Sequence, residues 1–285
     1  MLVAVICRMN QARSPFAQGV LIKNFSDHQI ISSGFEAIPG YGLIKGLEEL
    51  AKSWDIPLPK KNSTQLQGDK AELLKADLII CAEARFEDAV RELGYVGKII
   101  SFENLTFDPS FMPLDPDGLT IDKFKRELAK SAALAIRAVR DELSLTFPNS
   151  ILVVTPNGDS DCELALTHAV MEAKLRDAIL VDADLRAPNT VGIRELHLES
   201  IEFDLNDLES LQIPSPNSLQ ILTHKYQVNH PGQYLLSPIW SNFLMQLTQH
   251  RPVVLLTAPR YTQSSRLPEP FLISAYATEI SLISS

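Results

Sequence analysis

The sequence predicts an α/β protein of two domains, each a mainly parallel sheet flanked by helices. Three observations lead there. Short apolar runs alternate with amphipathic stretches of helical period along the whole chain. The pattern is interrupted once, around Pro148, and then restarts with the apolar run ILVVT at 151–155. The length of 285 residues favours two domains over one. The expected domains are therefore 1–147 and 148–285.

In the first domain, strands are expected near 2–7, 29–33, 77–82 and 97–101, and helices near 14–25, 43–54, 68–75, 84–93 and 120–145. The last helix has the clearest period: Phe124, Leu128, Ala132, Leu134, Ile136 and Val139 fall on one face. In the second domain the expected strands are 151–155, 178–184, 219–224, 252–258 and 279–284, with helices near 161–175 and 238–250. Segment 188–217 is rich in Pro, Asn and Asp and is expected to hold a short acidic helix.

Composition excludes several classes. A net charge of −9 opposes nucleic acid as the main partner. No apolar run is long enough to insert into a membrane, and MLVAVIC at the start reads as a buried strand, cut off by Arg8 and Arg13. Cys7, Cys81 and Cys162 are far apart, without metal-ligand spacing. These features point to a reducing cytoplasm. No metal and no cofactor are expected.

The chemistry gathers where the first strand ends, in VAVICRMNQARSPFAQ. Cys7 closes the strand, and Arg13, Ser14 and Pro15 open the helix. A loop wrapped at a helix N-terminus, here Arg8, Met9, Asn10, Gln11, Ala12, Arg13 and Ser14, turns N–H groups toward one anion. The same field favours a nucleophilic thiolate at Cys7. Arg13 offers a planar fork for two phosphate oxygens. Ser14 can donate to the sulfur, and Pro15 suits the first helical turn.

This C-x5-R-S-P pattern resembles the low-molecular-weight protein tyrosine phosphatases and their arsenate-reductase relatives, over about residues 1–145. Ile31-Ser32-Ser33-Gly34 resembles their stretch after strand two, and Lys75-Ala76-Asp77-Leu78-Ile79-Ile80 their third strand. Asn10 matches a loop asparagine in an unusual backbone conformation. Met9 stands where glycine is usual and is expected to take a backbone geometry that glycine adopts freely. Ala12 replaces a second loop cysteine. The resemblance implies hydrolysis of a phosphorylated tyrosine protein or a small aryl phosphate through a phosphocysteine. It also implies an Asp-Pro general acid before the last helix. Asp115-Pro116 fits better than Asp108-Pro109. Phe107 and Phe111 are candidates for the aromatic clasp that usually follows the acid.

AILVDADLRAP at 178–188 resembles the second motif of bacterial tyrosine autokinases and related exopolysaccharide ATPases, over about residues 149–285. The resemblance implies a P-loop-type fold, yet Asp161 falls at the position of the phosphate-binding Lys and Cys162 at that of the Ser/Thr. Asp159 and Glu163 add negative charge, and Leu256 takes the place of an acid that would order Mg²⁺. The expectation is a nucleotide-free scaffold with Asp182 and Asp184 at a solvated strand end, and His168 and His224 as ordinary surface or core residues. The fusion hints at exopolysaccharide regulation, a polysaccharide-export tyrosine kinase as partner, and a homodimer. Two other readings are a non-catalytic module that binds phosphorylated ligands and an arsenate reductase.

Overall fold

The computed structural model describes residues 1–106, 109–156, 162–185, 198–215, 219–257 and 272–283. The chain divides into two compact units, Met1–Leu145 and Thr146–Ser285. Each is built on a parallel sheet, so the α/β class read from the sequence is the class found.

The first unit runs β1 (Leu2–Cys7), α1 (Arg13–Asn24), β2 (Gln29–Gly34), α2 (Leu47–Ser53), α3 (Lys70–Leu73), β3 (Leu78–Cys81), α4 (Arg85–Glu92), β4 (Lys98–Ser101) and α5 (Ile121–Glu142). The sheet order is β2-β1-β3-β4, and every pairing is parallel. Strands this deep are apolar throughout: Val3, Ala4, Ile6, Leu78, Ile79 and Ile80 are all fully buried. The helix α1 packs on α5 and against β1 and β2, and its residues Arg13 to Leu21 are buried without a break. All six residues expected on the inner face of α5 are buried.

This strand order positions the site. The chain leaves β1 toward β2 on one side and returns to β3 on the other. The loop after β1 therefore opens into the crevice where the winding reverses, the usual ligand position in open α/β sheets. Register places Cys7 opposite Gly34 and Ile6 opposite Cys81, so the ends of three strands meet there.

Helices α2, α3 and α5 are shorter than the sequence suggests, α3 reaching only Lys70–Leu73 against the expected 68–75. Gly46 has φ 89°, a left-handed conformation incompatible with a helix, so α2 starts at Leu47 rather than near 43. Ser144, with φ 54°, ends α5. The N–H of Leu145 then donates back to the Arg140 carbonyl at 2.9 Å, closing the helix in a Schellman-type turn.

The second unit holds β5 (Ile151–Pro156), α6 (Cys162–Leu175), β6 (Ile179–Asp182), β7 (Glu199–Phe203), β8 (Gln220–His224), a helix Pro238–His250, β9 (Val253–Leu256) and β10 (Glu279–Ile283). Its sheet is six parallel strands in the order β10-β5-β9-β6-β8-β7. Leu152, Val154, Leu166, Ala169, Leu180 and Val254 form a core on one face. Trp240, Phe243, Leu244 and Leu247 are buried in the helix Pro238–His250, with Phe243 stacked on Phe203 at 4.6 Å.

Two features of this unit differ from or add to the expectation. Among the described residues of 188–217 there is a strand, β7, and a 3-10 turn at Leu208–Ser210; residues 188–197, 216 and 217, where the rest of the expected short acidic helix could fall, lie outside the described residues. The strand is short, polar and at the sheet edge, with only Phe203 buried, so hydropathy hid it. Asp182 and Asp184 are not solvated. They are 1% and 6% exposed, and the Asp184 N–H donates to Asp182 Oδ1 at 3.1 Å. His168 lies at the surface near Glu172, and His224 is buried. Asp159 and Asp161 lie outside the described residues, as do the side chains of Cys162 and Glu163.

Candidate active site

The segment between β1 and α1 folds into a compact loop, and four carbonyls of residues 7–12 are engaged away from it. The carbonyls of Cys7, Arg8 and Gln11 accept from the N–H groups of Phe35, Glu36 and Ile44, and that of Ala12 accepts from Phe16. Among the described residues nothing accepts the N–H groups of Arg8 to Ala12. No acidic residue sits in the first turn of α1, and no side chain caps it. The loop thus presents donors, and its helix adds positive potential. Gly34 makes this fit possible. A Cβ there would stand 2.9 Å from the Asn10 nitrogen and 2.6 Å from the Ala37 Cβ.

Asn10 carries the one left-handed conformation in the loop, at φ 53°. Met9 does not. The expectation that Met9 needs glycine-like geometry is therefore wrong, because the strain falls one residue later on a side chain that tolerates it. The Asn10 side chain is fully buried, and its orientation is set by its neighbours. Its Oδ1 accepts the Thr64 backbone N–H at 2.9 Å, which can only be a donor. Its Nδ2 therefore donates to Ser14 Oγ at 2.9 Å and to Ser32 Oγ at 3.0 Å. Ser32 in turn donates to Gln18 Oε1 at 2.7 Å, and Gln18 Nε2 donates to the Ile30 carbonyl at 2.9 Å. The directions from Thr64 through Asn10 and Ser32 to Ile30 are fixed. Ser14 accepts from Asn10, and its own proton can go to Cys7 Sγ at 2.9 Å or to the Ser33 carbonyl at 3.4 Å; a thiolate at Cys7, which can only accept, draws it to the sulfur. A hydroxyl held in this way stabilises a thiolate.

Cys7, Arg8, Met9, Gln11, Ala12 and Arg13 line one cavity of about 460 Å³, together with Ile44, Asp115, Pro116 and Asp117. Asn10 and Ser14, expected among the phosphate-binding residues, do not line it and are buried. The Arg13 side chain is only 3% exposed and donates to Glu83 Oε1 at 2.8 Å, while Asp115 Oδ2 lies 3.4 Å off. Burial alone would raise the Glu83 carboxyl, but hydrogen bonds from Arg13 and Arg85, and then their charges, outweigh it and hold Glu83 below the usual carboxylate range. Asp115 is 43% exposed at the side chain, more open than a shielded acid would be. Its Oδ1 accepts the Asp117 N–H at 3.3 Å. Arg8 pairs with Glu36 at 2.6 Å on the exposed side. Phe111 is buried, and among the described residues no aromatic side chain lines the cavity. Phe107 and Asp108 lie outside the described residues.

Glu83, Gln18 and Thr64 did not emerge from the sequence. Glu83 had a signal, since it lies two residues past a strand that flanks β1. Gln18 is a polar residue in a helix buried all round, which is also a signal. Thr64 sits in an irregular segment and had none. Cys81 is fully buried in β3, and burial pushes its thiol up, away from reactivity.

No family model matches the chain, and no curated protein matches it. Solved structures resemble about half of it. The tyrosine phosphatase AmsI of Erwinia amylovora is 21% identical with a TM-score of 0.42, over 49% of this chain and 91% of that chain. The tyrosine phosphatase Wzb of Escherichia coli is 17% identical with a TM-score of 0.43, over 50% and 97%. The arginine phosphatase YwlE from Geobacillus stearothermophilus is 19% identical with a TM-score of 0.43, over 50% and 94%.

Proposed function

We propose that residues 1–147 form a cysteine-dependent phosphomonoesterase acting on phosphotyrosine-type esters. One observation carries this reading: Cys7, Arg13 and Asp115 line a single cavity, in which Cys7 Sγ sits 2.9 Å from the Ser14 hydroxyl. The Cys7 thiolate attacks phosphorus, an S–P bond forms and the ester P–O bond breaks. Asp115 gives its proton to the departing oxygen. Water then attacks phosphorus, Asp115 takes the water proton, and the S–P bond breaks to release phosphate and restore the thiolate. Arg13 and the loop N–H groups hold the equatorial oxygens while charge spreads over them. Hydrolysis of an aryl phosphate by the full chain tests the reading. Absence of Cys7-dependent phosphate release overturns it.

Asp115→Asn is expected to lower kcat on phenyl phosphate by about 10²–10⁴-fold, the usual worth of a positioned acid. The loss should shrink for a dinitrophenyl ester, whose leaving group needs no proton. Equal activity of Asp115→Asn and wild type on phenyl phosphate, with Asp108→Asn impaired, would transfer the role to Asp108.

The proposal for residues 148–285 is a scaffold that binds no nucleotide. Its support is Leu256, which stands where the resemblance requires an acid and is fully buried in the core. Asp161 in place of a cation adds like charge toward a triphosphate. Titration calorimetry of the full chain with Mg-ATP and Mg-ADP is expected to show no binding below about 1 mM, a free energy weaker than about −4 kcal/mol. Micromolar binding would restore an ATPase or kinase reading.

A further inference from the structure

Asp115 poses a problem that the site itself does not solve. It is the most exposed of the proposed catalytic groups, on an irregular loop, and neighbours two prolines, Pro113 and Pro116. Prolines supply no N–H, so between residues 113 and 116 only Leu114 and Asp115 can donate from the backbone. A general acid must be held within a fraction of an ångström of the leaving oxygen to be useful.

The Leu114 N–H donates to Glu127 Oε2 at 2.8 Å. Glu127 lies in α5 and is completely buried. A carboxylate in that position is costly unless paired. It is paired twice: Arg126 Nε donates to its Oε1 at 3.0 Å, and Lys130 Nζ stands 3.2 Å from its Oε2. Lys130 then reaches past it to the Met112 carbonyl at 3.3 Å. The backbone is thus gripped on both sides of Pro113, by a carboxylate at the Leu114 N–H and by an ammonium at the Met112 C=O. Apolar residues at 127 and 130 would bury as well in this helix, without desolvating two charges. What they would not do is hold the two polar groups just before Asp115.

We infer that Glu127, seconded by Lys130, is a positioning residue that fixes the loop carrying Asp115 over the phosphate site. The inference rests on the phosphatase reading of that site. Glu127 touches no reacting atom, so its loss acts only through Asp115. Attack by Cys7 and charge stabilisation by Arg13 are left intact, and only protonation of the leaving oxygen suffers.

The test compares two esters in the full chain. The double variant Glu127→Leu/Lys130→Met removes both members of the buried Glu127–Lys130 pair and leaves Arg126, which at 23% exposure can turn its charge to solvent; Glu127→Gln keeps an acceptor for the Leu114 N–H. Thermal melting monitors folding. The double variant should lose about 10- to 100-fold in kcat on phenyl phosphate and about threefold or less on dinitrophenyl phosphate, whose phenolate leaves unassisted. The limb of the phenyl phosphate pH profile that reports the protonated acid should flatten. Glu127→Gln should recover part of the loss, because its amide oxygen still accepts from Leu114. Inhibition by inorganic phosphate should not change. A folded variant that loses equally on both esters, or on neither, overturns the inference alone. A wild type that hydrolyses neither ester overturns the phosphatase reading and this inference with it.

Discussion

Cys7→Ser is expected to abolish phosphate release while leaving the fold intact. The substitution is nearly isosteric at a site that is 3% exposed, and the hydroxyl can keep the contact with Ser14. Stability should therefore move little. Catalysis should collapse for an electronic reason. A thiolate is reached easily in a donor-rich loop, whereas an alkoxide needs a base to take its proton. Among the described residues none is placed to do so: Ser14 is committed as an acceptor from Asn10, and Asp115 is turned to Arg13. Loss of a nucleophile costs at least about 10⁴-fold, or about 5.5 kcal/mol of barrier. Initial rates on an aryl phosphate, with thermal melts of both proteins, provide the measurement. More than about 1% residual activity would remove Cys7 from the mechanism, since that is under 3 kcal/mol. The same variant should still bind phosphate or vanadate, because Arg13 and the loop N–H groups remain.

Much of the fold was legible because buried parallel strands are written as unbroken apolar runs. LVAVIC, LIIC, ILVV and VVLL each carry that signature and each is a strand. The helices α1 and α5 were equally clear, one from its position after Cys7 and the other from its period. What escaped was decided by context. β7 pairs through its backbone at a sheet edge, so its Glu and Ser side chains face solvent and leave no hydropathy trace. The burial of Asp182 and Asp184 also depends on surroundings that no local pattern encodes.

The site divides in the same way. Cys7, Arg13 and Ser14 are close in sequence, and their spacing alone implied a loop around an anion. Asp115 is 102 residues from Arg13 and was placed only by resemblance. The groups that orient these residues, Thr64, Gln18, Glu83 and Glu127, come from four separate stretches of the chain and share no motif. Their roles lie in hydrogen-bond direction, which a sequence does not display.

Arg13→Lys should be the second most damaging change, lowering kcat by about 10³–10⁵-fold, the range for an arginine that holds a transferring phosphoryl group. Lysine keeps the charge but not the fork, so it holds one oxygen where arginine spans two. Its loss should also be blind to the leaving group. Arg13 acts on charge spread over the phosphoryl oxygens, and phenyl and dinitrophenyl esters share that charge, whereas the effect of Asp115→Asn grows as the leaving group becomes more basic. Arg13→Ala adds a test of the resting structure. Glu83 is held below its unfolded pKa largely by Arg13 and Arg85, against the opposing effect of burial. A depressed carboxylate contributes stability that is present above its unfolded pKa and lost as pH falls through its folded one. Without Arg13 that contribution diminishes, so the gap in melting temperature between wild type and Arg13→Ala should be widest near neutral pH and close in acid. A gap that widens in acid, or an Arg13→Lys enzyme with a strong preference for the dinitrophenyl ester, would show that Arg13 serves some purpose other than gripping the phosphoryl group and Glu83.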